Sequence, residues 1–409
     1  MREIRPAGGP GVGELFQLFR DARSWTRSEL AEQTGLSRNT VAARVDALLA
    51  AGLLAPVGSA SSSGGRPPAQ LGMNPRAGLV LAIDLGATHA TVAVTDLSAS
   101  VLTSQTIDLS IDDGPERVLD AVFDIGERLL AVVASPSPLL GVGIGLPGPV
   151  EYSTGRPVNP PIMPGWDGFD VPGYVRRRFP VTVLVDNDVN ILALGEHALS
   201  WPAVDDLIFV KVATGIGAGI ILGRELQRGA QGGAGDIGHV QVPYSRDSPR
   251  PPGDESILGD LASGAAIARL LRARGVDAAN SRDVIALMRA SHPDTLEIAR
   301  QAGREIGEVL AAIVNTLNPS VIVLGGSVGR ASEPLLAGIR EVVYRRSITL
   351  ATQQLQIVPS NAGSQAGVLG AAMLVVQQLF TPQSVTSIVT AATGRTAPES
   401  VPAAAGLRY

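Results

Sequence analysis

The chain has no cysteine. Disulfides, thiol nucleophiles and cysteine-ligated zinc are therefore excluded. Lysine is almost as scarce. Lys211 is the only one, so nearly all positive charge sits on arginine, as a GC-rich genome would produce. No run of about 18 apolar residues offers a membrane span. The opening "MREIRPAGGPGVGELF" lacks the apolar core of a signal peptide. A cytoplasmic protein with no membrane partner is the expectation. The net charge of -5 argues against wholesale coating of nucleic acid.

What is present divides the chain. Its 409 residues suffice for two or three domains, and a 45% hydrophobic content permits large cores. Residues 1–76 hold nine Arg against six acidic residues, whereas the remainder is acidic. A basic head on an acidic body fits a local DNA contact. Residues 58–76, "GSASSSGGRPPAQLGMNPR", are rich in Gly, Ser and Pro and read as loop or linker. From "GLVLAIDLG" (78–86) onward, buried-strand runs at 139–148, 181–188, 207–215 and 321–327 alternate with helical patterns. Those helices fall near 115–133, 189–198, 261–274, 295–317 and 333–346. The alternation marks an α/β fold. Glycine-rich turns after strands in two halves suggest a duplicated architecture with a cleft between. After Phe380 the chain turns to small and polar residues and reads as disordered at least in part.

The segment "TRSELAEQTGLSRNTVAARVDALLAAGLLAPVG" (26–58) has helix-turn-helix spacing. Leu30 and Ala31 face inward, Gly35 suits a left-handed turn and Ser37 suits an N-cap. Val41, Val45 and Leu48 form an apolar face. Ser37, Arg38, Asn39, Thr40 and Arg44 are left to point outward. Such side chains hydrogen-bond base edges and phosphates from a helix in the major groove. A plain helical bundle with a solvated face is the alternative. "GLLAPVG" and the following loop read as a winged hairpin ending in "GGRPP" (64–68). Arg66 there either enters a minor groove or belongs to a simple linker.

Three turns suit phosphate or nucleotide. Asp84, Gly86 and Thr88 lie in "IDLGATHATVAV". Thr214, Gly215, Gly217 and Gly219 lie in "VATGIGAGII". Gly325 and Gly326 lie in "VIVLGGSVG". Glycine admits close backbone approach, Thr offers a hydroxyl, and Asp can hold a metal-bound water.

With these motifs the chain resembles the ROK proteins, sugar kinases and transcriptional repressors with an actin-like ATPase fold. The reader with "GGRP" resembles the NagC/XylR-type repressor branch. "GVGIGLPGPV" (141–150), "NDVN" (187–190), "GAGDIGHVQV" (233–242) and "GVLGAAMLV" (367–375) extend the likeness. It implies an α/β, ribonuclease H-like duplicated body behind an N-terminal winged helix-turn-helix. The expected divisions are a reader at 1–57, wing end and linker at 58–77, and subdomains at 78–197 and 198–365. Helix 366–380 returns to the first subdomain, and a disordered tail fills 381–409.

The resemblance also assigns a sugar pocket. Asp188 matches the kinase base for the sugar hydroxyl, with Asn159 and Asn187 beside it and Trp166 nearby. His239 matches a His that touches sugar and also ligates zinc, and Asp236 stands where Glu is usual. The family's three cysteine positions become Arg250, Pro252 and Ile257, and its sugar-contacting Glu becomes Gly259. Structural zinc is expected to be absent, because one His cannot complete a four-ligand site. Glu255 or Asp260 is left as a replacement carboxylate. His239 is either a ligand contact or a structural residue. Ala87 and His89 replace the usual Gly and Lys of the first phosphate turn, so ATP and Mg are compatible with the site without being required.

The leading expectation is a sugar-responsive repressor of carbohydrate genes. It binds operator DNA as a homodimer or tetramer, with a sugar or sugar phosphate in the cleft. An ATP-dependent sugar kinase with Asp188 as base, and a vestigial cleft under a protein partner's control, are the competing readings.

Overall fold

The structure, a computed structural model, describes residues 10–20, 23–59, 68–242 and 256–394. The head opens with α1 (Val12–Gln17), followed by α2 (Arg27–Thr34) and α3 (Arg38–Ala50). Thr26 and Glu29 cap α2 reciprocally: Glu29 N donates to the Thr26 hydroxyl at 3.2 Å, and Thr26 N donates to the Glu29 carboxylate at 2.7 Å. Gly35 ends α2 at φ +70, and the Ser37 hydroxyl caps α3. Strands β1 (Leu54–Ser59) and β2 (Ala69–Met73) pair antiparallel as the wing. The stretch read as wing end and linker thus contributes the second wing strand.

The first lobe contains β3 (Leu79–Leu85), β4 (His89–Asp96), β5 (Val101–Asp108) and α4 (Pro115–Val133). It continues through β6 (Leu139–Leu146), a small β7–β8 hairpin (Val150–Glu151, Arg156–Pro157) and α5 (Val171–Arg176). Strand β9 (Thr182–Asn187) and α6 (Asp188–Ser200) follow. The sheet order is β5-β4-β3-β6-β9, with β3–β4–β5 antiparallel and β3–β6–β9 parallel.

The second lobe repeats this plan. It contains β10 (Leu207–Val212), β11 (Ile216–Leu222) and β12 (Glu225–Gln227). Next come α7 (Leu258–Ala262), α8 (Gly264–Ala273), α9 (Ser281–Arg289) and α10 (Pro293–Leu317). Strand β13 (Val321–Gly325), α11 (Gly326–Gly329), α12 (Glu333–Arg346), α13 (Thr349–Thr352) and β14 (Gln356–Pro359) complete it. The order β12-β11-β10-β13-β14, with the same directions, is that of the first sheet. The duplication expected from the turns is present. The single helix expected over 261–274 is two, because Ser263 is extended and caps α8.

The chain then returns. Helix α14 (Ala366–Leu379) lies against the first sheet and α6, and α6 lies against β10 and β11. The tail differs from expectation: α15 (Pro382–Thr393) is a helix with Thr381 as N-cap and Pro382 at its first turn. Its Val385 and Val389 are buried in one cluster with Leu15, Phe16, Val41, Val45 and Phe380. That cluster runs on into Val80, Ala82 and Val375, so head and body share a core. The Phe16 and Phe380 rings stand 5.1 Å apart, and Gln17 donates to the Phe380 carbonyl at 2.9 Å. Among the described residues no single helix is long and apolar enough to cross a membrane.

Ending the chain at Phe380 removes two buried valines, each worth about 1.5 kcal/mol or more. Amide exchange of α1 and α3 is expected to speed at least tenfold in the truncated protein; unchanged protection would show that α15 does not hold the head.

Candidate functional site

Two regions have the means to recognise a ligand. The first is the exposed start of α3. Ser37, Arg38 and Asn39 are exposed and Thr40 is half-buried, its hydroxyl 2.8 Å from that of Ser37. Arg44 departs from the outward orientation expected of it. It is half-buried and donates to the Pro10 carbonyl, so it braces the segment before α1. An exposed Arg27–Asp46 pair at 2.5 Å joins α2 to α3. Trp25 donates to Leu18 O at 2.8 Å and bridges to Leu71 of the wing. Arg66 lies outside the described residues.

The second region is the floor between the lobes, where β9 runs into α6. Asn187 caps this helix: its Oδ1 accepts from Val189 N at 2.8 Å, and its Nδ2 donates to Gly148 O at 2.7 Å. Both ends of the amide thus have backbone partners. Asp188 is buried, and its Oδ2 is paired with the ammonium of Lys211 on β10, in the opposite lobe. Asp186 is buried as well. It accepts from Asn187 N (2.8 Å), Asn190 Nδ2 (2.7 Å) and Arg228 Nε (2.7 Å). Arg228 also lies over the Tyr152 ring, 4.0 Å from its centroid. Two ion pairs therefore cross between the lobes from alternate residues of one strand-to-helix junction.

Asp84 lies in the same field as Asp188 and Lys211. Asp84 is half-buried by its surface, and a Cβ on Gly367 of α14 would overlap its carboxyl group. Burial, then repulsion from Asp188, push Asp84 up to about 7, against the pull of Lys211. His89 is shifted down by burial and by Lys211. Its ring lies against Gly86. Thr88 borders a groove of about 560 Å³ with Asp108, Ser110, Arg117 and Arg282.

The remaining sites expected from sequence lie on other elements. Asn159 is exposed at φ +43, its backbone N–H donating to the Asp167 carboxylate at 2.7 Å. Trp166 is buried and donates to Ile111 O at 3.1 Å. Asp236 and His239 are exposed and 2.8 Å apart. Gly259 packs on Gly238, while Asp260 is exposed. Of the positions expected to have lost zinc ligands, Arg250 and Pro252 lie outside the described residues, as does Glu255, while Ile257 bridges to Gln241. Among the described residues no three His, Asp or Glu side chains converge to hold a metal ion.

Thr214 and Gly215 are exposed at the β10–β11 turn, and a Cβ at Gly215 meets open space. Gly219, Gly325 and Gly326 have packing reasons within the chain, whereas Gly217 has room for a Cβ. Gly217 is in ordinary contact with Val189. Gly219 lies under Ala193 of α6, Gly325 against the Phe209 ring, and Gly326 (φ +81) over the Val212 backbone. The sequence reading did not include Asp186, Arg228 or Tyr152. A lysine inside the apolar strand run "LIFVKV" was the available signal for Lys211, since buried lysines are paired.

The ROK family model matches residues 80–378, and a winged helix-turn-helix DNA-binding model matches 15–55. The putative xylose repressor of Caldicellulosiruptor sp. (strain Rt8B.4) is 30% identical over 383 residues, covering 90% of this chain and 95% of that protein. A crystal structure of a ROK family transcriptional regulator, a homologue of the E. coli MLC protein, superposes with a TM-score of 0.77 at 25% identity. That match covers 92% of this chain and 98% of the other. A ROK family glucokinase from Streptomyces griseus, solved with glucose and AMPPNP, gives a TM-score of 0.60 at 26% identity, over 73% of this chain and 99% of that one. The chain belongs to the ROK family. With a winged reader ahead of the ROK body, it is a DNA-binding transcriptional regulator of that family.

The Asp84 shift has a signed consequence. The folded chain holds this proton up to about pH 7, whereas the unfolded chain releases it near the usual 3.8. The folded state therefore binds more protons across that window, and stability falls as pH rises through it. Asp84→Asn cannot ionise. Thermal melting is expected to show the variant more stable than the parent at pH 8, with the gain absent near pH 4.

Proposed function

We propose that the protein is a sugar-responsive repressor in which a ligand in the interlobe cleft, contacting Asp188, controls operator binding by the winged reader. The observation that carries this reading is the continuity of the path between the two regions. Asp188 begins α6, α6 packs on α14, and α14 leads into α15, which shares a core with α1 and α3. A ligand that binds better to one arrangement of the lobes shifts the population of reader positions by its differential affinity.

On the DNA side, Ser37, Arg38, Asn39 and Thr40 carry recognition, with Arg66 as the wing contact. The operator is taken by a homodimer or tetramer, since paired half-sites call for paired readers. On the ligand side, a sugar or sugar phosphate meets Asp188, with Asn159, Asn187, Asp236 and His239 around it. The xylose named in the relative of 30% identity makes D-xylose the first candidate. Turnover is the second reading, favoured by Asp84, Thr88, Thr214 and Gly215 near the cleft and by the glucokinase likeness. ADP release over a hexose panel, lost in Asp188→Ala, would establish it.

For the reader, Asn39→Ala is expected to cost about 1–3 kcal/mol of operator affinity, while Arg38→Ala lowers the salt slope by about one. Electrophoretic or anisotropy titrations at several salt concentrations check both. For the cleft, Asp188→Asn is expected to weaken the sugar response at least tenfold while the operator is still bound. A full response in that variant would remove Asp188 from the ligand site.

A further inference from the structure

Beside the Asp186–Arg228 pair, the floor of the cleft sets Lys211 among two further carboxylates, Asp84 and Asp188. Lys211 enters from β10 and pairs with Asp188 Oδ2 across the lobe boundary, within the field that also acts on Asp84 and His89. Asp188 is buried and Lys211 is partly buried, its side chain 22% exposed. A lysine side chain pays for such burial with a partner, and here the partner is Asp188, at the start of α6. It is the chain's only lysine, all other positive side chains apart from histidine being Arg, so this position is the exception to the chain's own usage.

We propose that Lys211 stands in for a divalent cation between the lobes, making the ligand response independent of Mg²⁺ and nucleotide and fitting the cleft to an uncharged sugar. This rests on the cleft being the effector site.

Three features of the chain support the assignment. A divalent ion contacting both Asp84 and Asp188 would lie beside the ammonium and have to displace it, because two like charges cannot share one buried carboxylate pair cheaply. Around the first phosphate-type turn, the His89 ring lies against Gly86. Gly325 and Gly326 are accounted for by Phe209 and the Val212 backbone. The residues present thus do not fit a metal–nucleotide complex at this floor.

They do fit a polyol. Asp188, held by the ammonium through Oδ2, keeps acceptor capacity at Oδ1 for a ligand hydroxyl. A phosphate ester seated there would bring two further negative charges beside Asp84 and Asp188, with the one ammonium already engaged. Uncharged ligand and engaged lysine are the compatible pair.

The test is operator binding by the full chain, titrated with D-xylose, D-glucose and N-acetylglucosamine and with a phosphate ester of each. Each titration is run in EDTA and in Mg²⁺, without nucleotide. One free sugar is expected to act equally in EDTA and Mg²⁺, with its ester at least tenfold weaker. Lys211→Met should lower sensitivity to that sugar at least tenfold, and Lys211→Arg should restore most of it. A response that requires Mg²⁺, an ester that acts better than its free sugar, or wild-type sensitivity in a folded Lys211→Met each overturns the proposal. Should Lys211→Met fail to fold, the ester and EDTA comparisons on the unmodified chain decide. If no sugar and no ester acts, the cleft is not the sugar effector site, and that reading falls together with this one; activity confined to the esters overturns only the role of Lys211.

Discussion

Everything in the body depends on four backbones being allowed to touch. Gly143 on β6 lies under the Ala371 carbonyl of α14. Gly370 of α14 meets the Ile191 backbone of α6, and Gly195 of α6 meets Ala366. Gly219 on β11 then takes the other side of α6, beneath Ala193 and Val189. The stack runs from one sheet to the other with a glycine at each interface. A methyl group at any of these positions would overlap main chain or a neighbouring Cβ, which the layers can relieve only by separating. The helix that carries Asp188 is therefore clamped between two sheets, and its N-terminus is fixed in the plane where the lobes meet.

That placement explains why the charges gather where they do. Asp186 and Asp188 lie on either side of the helix cap Asn187, and each finds its cation in the second lobe, Arg228 and Lys211 respectively. Buried ion pairs are weak sources of net stability because of their desolvation cost, yet removing one partner is expensive. Pairs of this kind specify how two lobes sit together more than how strongly they adhere. Here they make the relative position of the lobes sensitive to whatever else competes for the same carboxylates.

The sequence was most legible where local rules act. Gly35, Ser37 and the Val41, Val45, Leu48 face announce the reader by cap, turn and period, and all three behave as expected. The helices at 115–133 and 333–346 follow their apolar period to the residue. Legibility fell where a partner far along the chain decides the outcome. "AQLGM" has too little β-branched character to read as a strand, and it becomes one by pairing with β1 and bridging to Trp25. The tail looked featureless by composition, although Thr381–Pro382 is a helix start and Val385 and Val389 share one face. Those two valines mean little until Phe16 and Phe380 supply the surface they cover. In the cleft, motif reading found Asp188 and missed its cation, because the lobe-to-lobe pairing is set by tertiary structure. Glycines read as room for phosphate also make room for Phe209, Val212 and α6.

The shared core of α1, α3 and α15 also fixes an order of events during synthesis. Domains ordinarily fold as they leave the ribosome, the N-terminal one first. Here the surface that buries Leu15, Phe16 and Val41 includes Phe380, Val385 and Val389, so the core of the head closes fully only after residues that follow both lobes have been made. A nascent chain that has reached only the first lobe therefore carries a head whose apolar surface is still partly open.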